Sequence, residues 1–372
     1  MEYMAKNIPL WQITTWDKNF NNVDKEWQPK TIKYKYLLSD ELDSLRVDDG
    51  DIRILYTGKD VGYTTEELAG DNISEGEVVS IPWGGIPTVK YHKGKFVTGD
   101  NRIATSNDTS KLTNKYLYYY LQGNIGEIAS YYRGASLKHP CMKDVLKMTI
   151  SYPSVQEQEK ICSQFDMLEW LIEARKQELQ LLDDLIKARF VEMFGDPVVN
   201  DKRWSTMPLE EACKIIVDCP HSTPSYTTED TGYMCIRTSI VKKNKIIWDE
   251  IEFIPKDEFE KRIKRKKPEV GDVVYTREGA ILGIAAVIDK ECNVALGQRA
   301  MLLSPDENMI TSEFLCIAMN CDSFLINALK GVAGSASPHI NVGDIKAFKM
   351  IMPPLELQNK FSDFIRQVDK SK

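Results

Sequence analysis

An internal repeat constrains this chain more than any other feature: its 372 residues read as two copies of one unit close to 200 residues long. Ile8-Pro9-Leu10 recurs as Met207-Pro208-Leu209, a shift of 199. Glu75 to Val79 recurs as Val270 to Val274 at a shift of 195, and each copy is followed by a glycine, Gly84 and Gly279. Val97 to Arg102 matches Val294 to Arg299 at 197, and Thr113 to Leu117 matches Thr311 to Leu315 at 198. From there the shift is a constant 200, carrying Gly134, His139, Asp144, Pro153 and Gln158 onto Gly334, His339, Asp344, Pro353 and Gln358. An ordered series with so little drift points to duplication. A unit this long is a domain with an appendage, not a layer of a solenoid.

Within each unit, short β-branched runs bounded by glycine or polar residues, such as Asp51 to Tyr56 and Gly271 to Thr276, predict strands. Thr113 and Thr311 stand as N-caps ahead of helical stretches. The expected fold class is α+β. Two mixed domains, residues 1–153 and 198–352, are joined by a long helical spacer of coiled-coil type at 154–197, and a short second helix occupies 353–372.

The spacer has clear ends. Ser154-Val155-Gln156-Glu157 forms a capping box, and Gly195-Asp196-Pro197 stops the helix. Between them Ile161, Phe165, Leu168, Ile172, Leu179, Leu182, Ile186 and Met193 keep a 4-3-4 rhythm, interrupted at Arg175 and Arg189. A helix over 155–194 spans on the order of 60 Å at about 1.5 Å per residue. Its second copy carries Phe361, Phe364, Ile365 and Val368 and is expected to be less than half as long.

Composition excludes several classes. With 42% hydrophobic and 28% charged residues the chain is neither disordered nor collagen-like. No run of about 18 apolar residues occurs and the start lacks a secretory signal, so a cytoplasmic address without a membrane is expected. The eight cysteines form no Cys-x-x-Cys pair and read as reduced core residues; Cys213, Cys219 and His221 give only an isolated zinc-like trio, so no metal is expected. A net charge of −7 argues against a histone-like coat but leaves room for a local basic face. Phosphate loops, dinucleotide fingerprints, the Asn/Asp-Pro-Pro-Tyr/Phe tetrapeptide of amino-methyltransferases, nucleophile elbows and His-Glu-x-x-His are all missing, and four histidines leave little for general-base work. No catalytic residue is expected.

The remaining features suit binding. Lys261 to Lys267 carries six cations in seven residues, with Lys264, Arg265 and Lys266 at its centre; it is either a phosphate-neutralising patch or a solvated helix face. Asn101-Arg102 and Gln298-Arg299 offer the side chains that read guanine and adenine edges, and Arg277 stands after a strand where the other unit has Pro82-Trp83. The alternative for these arginines is a buried ion pair. Lys138-His139 and His339 carry the same ambiguity. Tyr116 and Tyr118 to Tyr120 are expected in the core, since Tyr116 aligns with Phe314.

Two diverged domains, each entered through Pro-Leu and followed by a Pro-x-x-x-x-Gln helix, resemble the specificity subunit of type I restriction-modification systems. The stretch Gln158 to Pro197, with Leu185-Ile186-Lys187-Ala188-Arg189-Phe190-Val191-Glu192-Met193-Phe194-Gly195-Asp196-Pro197, is similar to that family's central spacer; Gly271 to Val274 and Gly334 to Ile340 resemble its target-recognition domains. The likeness covers nearly the whole chain. It implies that each domain reads one half of a split site on double-stranded DNA. It further implies that the helices set the gap and bind two methyltransferase subunits, through Phe165, Leu168, Ile172, Leu179, Leu182, Ile186 and Phe190 here. Partner subunits would hold S-adenosylmethionine, ATP and magnesium, and ATP-dependent restriction subunits would join for cleavage. One helical turn moves the second reader by about 5.4 Å, more than a base-pair step of about 3.4 Å. In the family the two helices usually pair antiparallel over most of their length, whereas here the second stops near Lys372; either the short helix suffices, or assembly is weaker, or the gene is a truncated copy. Two other readings stay open. A cryptic DNA-modifying enzyme would need an acidic metal cluster, for which the sequence offers no good candidate, and a silent cassette would bind no specific DNA.

Overall fold

A computed structural model describes residues 7–18, 31–58, 61–330, 332 and 338–372, and it falls into two units, 1–174 and 175–372. The small-residue turn Gly334 to Ser337 lies outside the described residues.

In the first unit six strands form one sheet. They are β1 (Thr14–Trp16), β2 (Ile52–Leu55), β3 (Val61–Thr64), β4 (Ser74–Pro82), β5 (Lys90–Thr98) and β6 (Asn101–Ser106), in the order β1-β6-β4-β5-β2-β3. All neighbours are antiparallel except β2 and β5, which run parallel over Arg53 to Leu55. The second unit keeps this plan with one break. β7 (Cys213–Asp218), β8 (Val273–Thr276), β9 (Ala285–Val287) and β10 (Ala300–Pro305) run in the order β7-β10-β8-β9. A separate three-stranded sheet pairs Met234–Ile236 parallel with Val294–Leu296 and antiparallel with Glu252–Phe253. The long β5 of the first unit is therefore matched by two short strands, β9 and Val294–Leu296, and the sheet divides where they part.

Each unit closes where its chain enters. Ile8 and Pro9 pair antiparallel with Ile150 and Thr149, as Thr206 to Pro208 do with Ile351 to Lys349. Leu10 N donates to Met148 O at 2.8 Å and Leu209 N to Phe348 O at 2.8 Å. These short strands lie just before the helices that follow each domain, α2 (Val155–Phe194) and α4 (Leu355–Asp369); the helices ahead of them are α1 (Asn114–Gly123) and α3 (Ser312–Asn320). Thr113 and Thr311 cap α1 and α3 as expected, their hydroxyls accepting from Tyr116 N and Phe314 N. α2 has the bounds expected from its capping serine and its terminating glycine, with Glu157 N donating to Ser154 Oγ at 3.4 Å and Gly195 at φ 74°. The unit boundary falls inside this helix rather than at its ends.

The same glutamine fastens both helices. Gln158 is fully buried; its Oε1 accepts from Thr113 N at 2.9 Å and its Nε2 donates to Lys111 O at 2.6 Å and Pro153 O at 2.9 Å. Gln358 repeats the set with Thr311 N at 2.9 Å, Met309 O at 3.1 Å and Pro353 O at 2.9 Å. Each amide thus satisfies three backbone groups that would otherwise be buried unpaired, so it ties the start of a helix to the turn ahead of its neighbour.

The remaining contacts of α2 differ between the units. In the first, Cys162, Asp166 and Glu169 follow Gln158 at helical spacing: Lys115 Nζ pairs with Asp166 at 2.6 Å, Tyr119 Oη donates to Asp166 at 2.7 Å, and Tyr118 Oη to Glu169 at 3.2 Å. The tyrosines of α1 are thus docking residues of the fold. In the second unit Ile186, Phe190 and Phe194 join Phe314, Phe361, Ile365 and Val368 in the main apolar cluster. The cysteines are spread through the core: Cys213 and Cys219 belong to different clusters, and burial pushes the thiols of Cys213, Cys235, Cys316 and Cys321 up to about 12. Such thiols are neutral and poor ligands or nucleophiles. No described helix is long and apolar enough to cross a membrane.

Candidate nucleic-acid interface

Two arginines at the ends of interior strands are structural. Arg102, on β6, is 1% exposed and reaches Asp17 at 3.2 Å and Asp100, with its guanidinium 4.6 Å from the Trp83 ring centre. Burial pushes the Asp17 carboxyl above its ordinary value, opposed by Arg102 and by the Ile103 amide, which donates to it at 3.0 Å. Arg277, 5% exposed, binds Asp218 at 2.9 Å, Glu278 at 2.6 Å and Ile340 O at 3.4 Å. Asn101 is buried as well and donates to Leu55 O at 2.8 Å. The expectation that Asn101, Arg102 and Arg277 contact bases is corrected accordingly: all three side chains are turned inward, and for the two arginines, which lie on carboxylates, the buried ion pair is the reading the geometry supports.

The alignment that placed Arg102 opposite Arg299 is corrected too. Trp83 N donates to Asp100 O at 2.9 Å and Arg277 N to Arg299 O at 3.0 Å; Asn107 N donates to Ile13 O at 2.8 Å and Asp306 N to Ala212 O at 2.9 Å. Pro82 pairs with Asn101 on β6 and Thr276 with Ala300 on β10. The shift here is 199. Asp100 is the counterpart of Arg299, and Arg102 that of Met301. Asn101-Arg102 and Gln298-Arg299 are alike as residue types but stand two residues out of register.

The other candidates divide. Arg299 is exposed, and Gln298 beside it is half-buried, its Oε1 accepting from Thr223 Oγ1 at 3.2 Å. Lys138 is exposed and its carbonyl accepts from Gly85 N at 3.1 Å, as Pro338 O accepts from Gly279 N at 3.2 Å. His139 lies against Trp83, with Nδ1 2.7 Å from Trp83 O, while His339 is exposed and bridges to Glu278 through its backbone. The basic run is mostly internal wiring. Lys261 pairs with Asp257 at 2.9 Å, buried Arg262 with Glu258 at 2.8 Å, and Lys266 with Glu269 at 2.7 Å and Asp272 at 3.0 Å. Lys266 is therefore corrected from a phosphate contact to a structural ion pair. Arg265 is exposed and donates to Asp218 O at 3.2 Å, and Lys264 is exposed. Lys138 and the half-exposed Asp100 remain outward near Trp83 in one domain, and Arg299 and His339 near Arg277 in the other.

Of the helix residues expected to meet a partner, Ile186 and Phe190 are buried in the second unit's own core and Leu182 packs against it, so the first two are corrected to core residues. Leu179 is half-buried, and Phe165 is partly exposed while stacking on Tyr119 at 4.9 Å. Leu168 and Ile172 are exposed, and three residues the seam did not include join them, Met167, Trp170 and Leu171, with Trp170 67% exposed. The signal was available as an unbroken apolar run with one glutamate, but the 4-3-4 template picks a single seam. Among the described residues no group of three or more His, Cys, Asp or Glu is placed to hold a metal ion.

The comparisons agree with this arrangement. The family model described as "Type I restriction modification DNA specificity domain" matches twice, over residues 31–183 and 201–372. The MjaVIII type I restriction enzyme specificity subunit of Methanocaldococcus jannaschii is 21% identical over 330 residues, covering 84% of this chain and 76% of that protein. The crystal structure of a type I restriction-modification S subunit from M. genitalium superposes with a TM-score of 0.60 at 14% identity, covering 98% of this chain and 89% of that one, which shows a shared fold. With two matches that together span most of its length, the chain belongs to the type I restriction-modification DNA specificity family.

Proposed function

We propose that this chain is the sequence-reading subunit of a type I restriction-modification complex, each domain recognising one half of a split DNA target. The observation that carries the reading is the repeat itself. Two domains with related strand plans, the second's sheet divided once, are each followed by the same glutamine-fastened helix. A duplicated reader suits a bipartite site. The chemistry would reside in partners: methyltransferase subunits using S-adenosylmethionine to modify adenine, and ATP- and magnesium-dependent restriction subunits.

The exposed apolar run on α2 supports the partner half of this proposal. Met167, Leu168, Trp170, Leu171 and Ile172 put a concentrated hydrophobic surface in water, which a soluble protein tolerates where another protein covers it. The double variant M167E/L171E is expected to keep the melting temperature of the free chain within about 2 °C, because exposed substitutions cost at most about 0.5 kcal/mol. Co-purification with the methyltransferase subunits of the proposed complex should be lost. Wild-type recovery of the complex by that variant would remove the helix run from the interface.

A further inference from the structure

The repeat, read in its corrected register, places opposite chemistry at one equivalent point of the two domains. In each, the residue after the strand β4 or β8 and the residue before β6 or β10 are joined by one backbone hydrogen bond, Trp83 N to Asp100 O and Arg277 N to Arg299 O. At that point the first domain carries the half-exposed carboxylate of Asp100, held by Arg102 from behind and 3.9 Å from Lys18. The second carries Arg299. Its side chain is exposed, lies beside Gly279, where an added Cβ would come within 3.4 Å of Nη1, and has no hydrogen-bond or ion-pair partner among the described residues.

The backbone of Arg299 has φ 74°, in the left-handed region where glycine is at home and an arginine is disfavoured. A non-glycine residue in such a conformation is a pointer to function, and here it coincides with an outward guanidinium. Arg277 directly behind it is locked between Asp218 and Glu278, so Arg299 is mounted on a rigid edge. The charge reversal then distinguishes two uses of the point. A phosphate anchor favours cations in both copies, and Asp100 would be repelled by the backbone. Base edges present both acceptors and donors, so a carboxylate in one domain and a guanidinium in the other are each suitable there.

We infer that Arg299 reads a guanine in the half-site of the second domain, donating two N–H groups to its O6 and N7, and that Asp100 accepts from the N4 amino group of a cytosine in the half-site of the first. The inference rests on the specificity reading above and deepens it by assigning one base to each domain.

The test maps methylated adenine in a methylation-free host expressing the complete complex with its methyltransferase subunits. R299A and R299K should both lose discrimination, by roughly 5- to 150-fold, at one guanine of the second half-site, with the first half-site and the gap unchanged. Lysine keeps the charge but not the two-pronged donor, so its failure to rescue marks base reading. D100N should relax one cytosine of the first half-site only. The melting temperature of the R299A complex should match that of the wild type. An unchanged motif in R299A overturns the inference, and so does a uniform drop in methylation that R299K restores, which identifies a phosphate contact. A wild-type complex that yields no split motif instead refutes the specificity reading, whatever the variants do.

Discussion

Arg102→Ala should destabilise the first domain by about 3 to 5 kcal/mol, enough to unfold much of it at growth temperature. The guanidinium is 1% exposed and faces Asp17, itself nearly buried, together with Asp100 and the Trp83 ring. Removing it leaves a buried carboxylate that already suffers from burial, and it strips the support from the strand end that carries Asp100. Lysine is a poor substitute, because a single ammonium reaches the two carboxylates with the wrong geometry. Hydrogen exchange resolved by peptide is the suitable readout, since it reports the first domain separately from the second. Protection should fall across β1, β4 and β6, with the second domain unaffected. Normal protection combined with an altered target would return Arg102 to the role of a base reader.

Phe190→Ala should cost the second domain about 3 to 5 kcal/mol. Phe190 is fully buried, its ring 5.1 Å from Phe194, 5.5 Å from Phe314 and 5.6 Å from Phe361. These four rings join the end of α2 to α3 and α4, so the cavity left by alanine opens at the point where three helices meet. Phe190→Leu should recover most of the loss, because it keeps an apolar side chain of nearly sufficient volume. Thermal melting of the free chain separates this role from partner binding. A variant that melts like the wild type but no longer holds the methyltransferase would place Phe190 at an interface instead.

Large features were legible in the sequence because they depend on many residues at once. The repeat survives in pairs spread over the whole chain, and α2 is bounded by a capping serine and a glycine that each act locally. Gln158 and Gln358 stood out as aligned residues, yet their function needed the turns at Lys111 and Met309, more than 40 positions away. Burial was the hidden quantity at these strand ends. Arg102 and Arg277 look like base readers as residue types, and only the folding of Asp17 and Asp218 beside them makes them internal. Register failed for a related reason: an Asn-Arg pair resembles a Gln-Arg pair, while the hydrogen bonds of Trp83 and Arg277 align Asp100 with Arg299. On α2 the heptad template found one seam. The half used by the second unit's core and the apolar run left exposed at Met167 to Ile172 separate only once the neighbouring helices are in place.

The central claim, that two like domains read two halves of one target, is tested most directly by co-expressing the wild-type chain with its methyltransferase in a host free of DNA methylation and mapping every modified adenine. Two short specified blocks separated by a fixed number of unspecified bases are expected. A single uninterrupted motif, or unmodified DNA alongside a soluble assembled complex, would contradict the account.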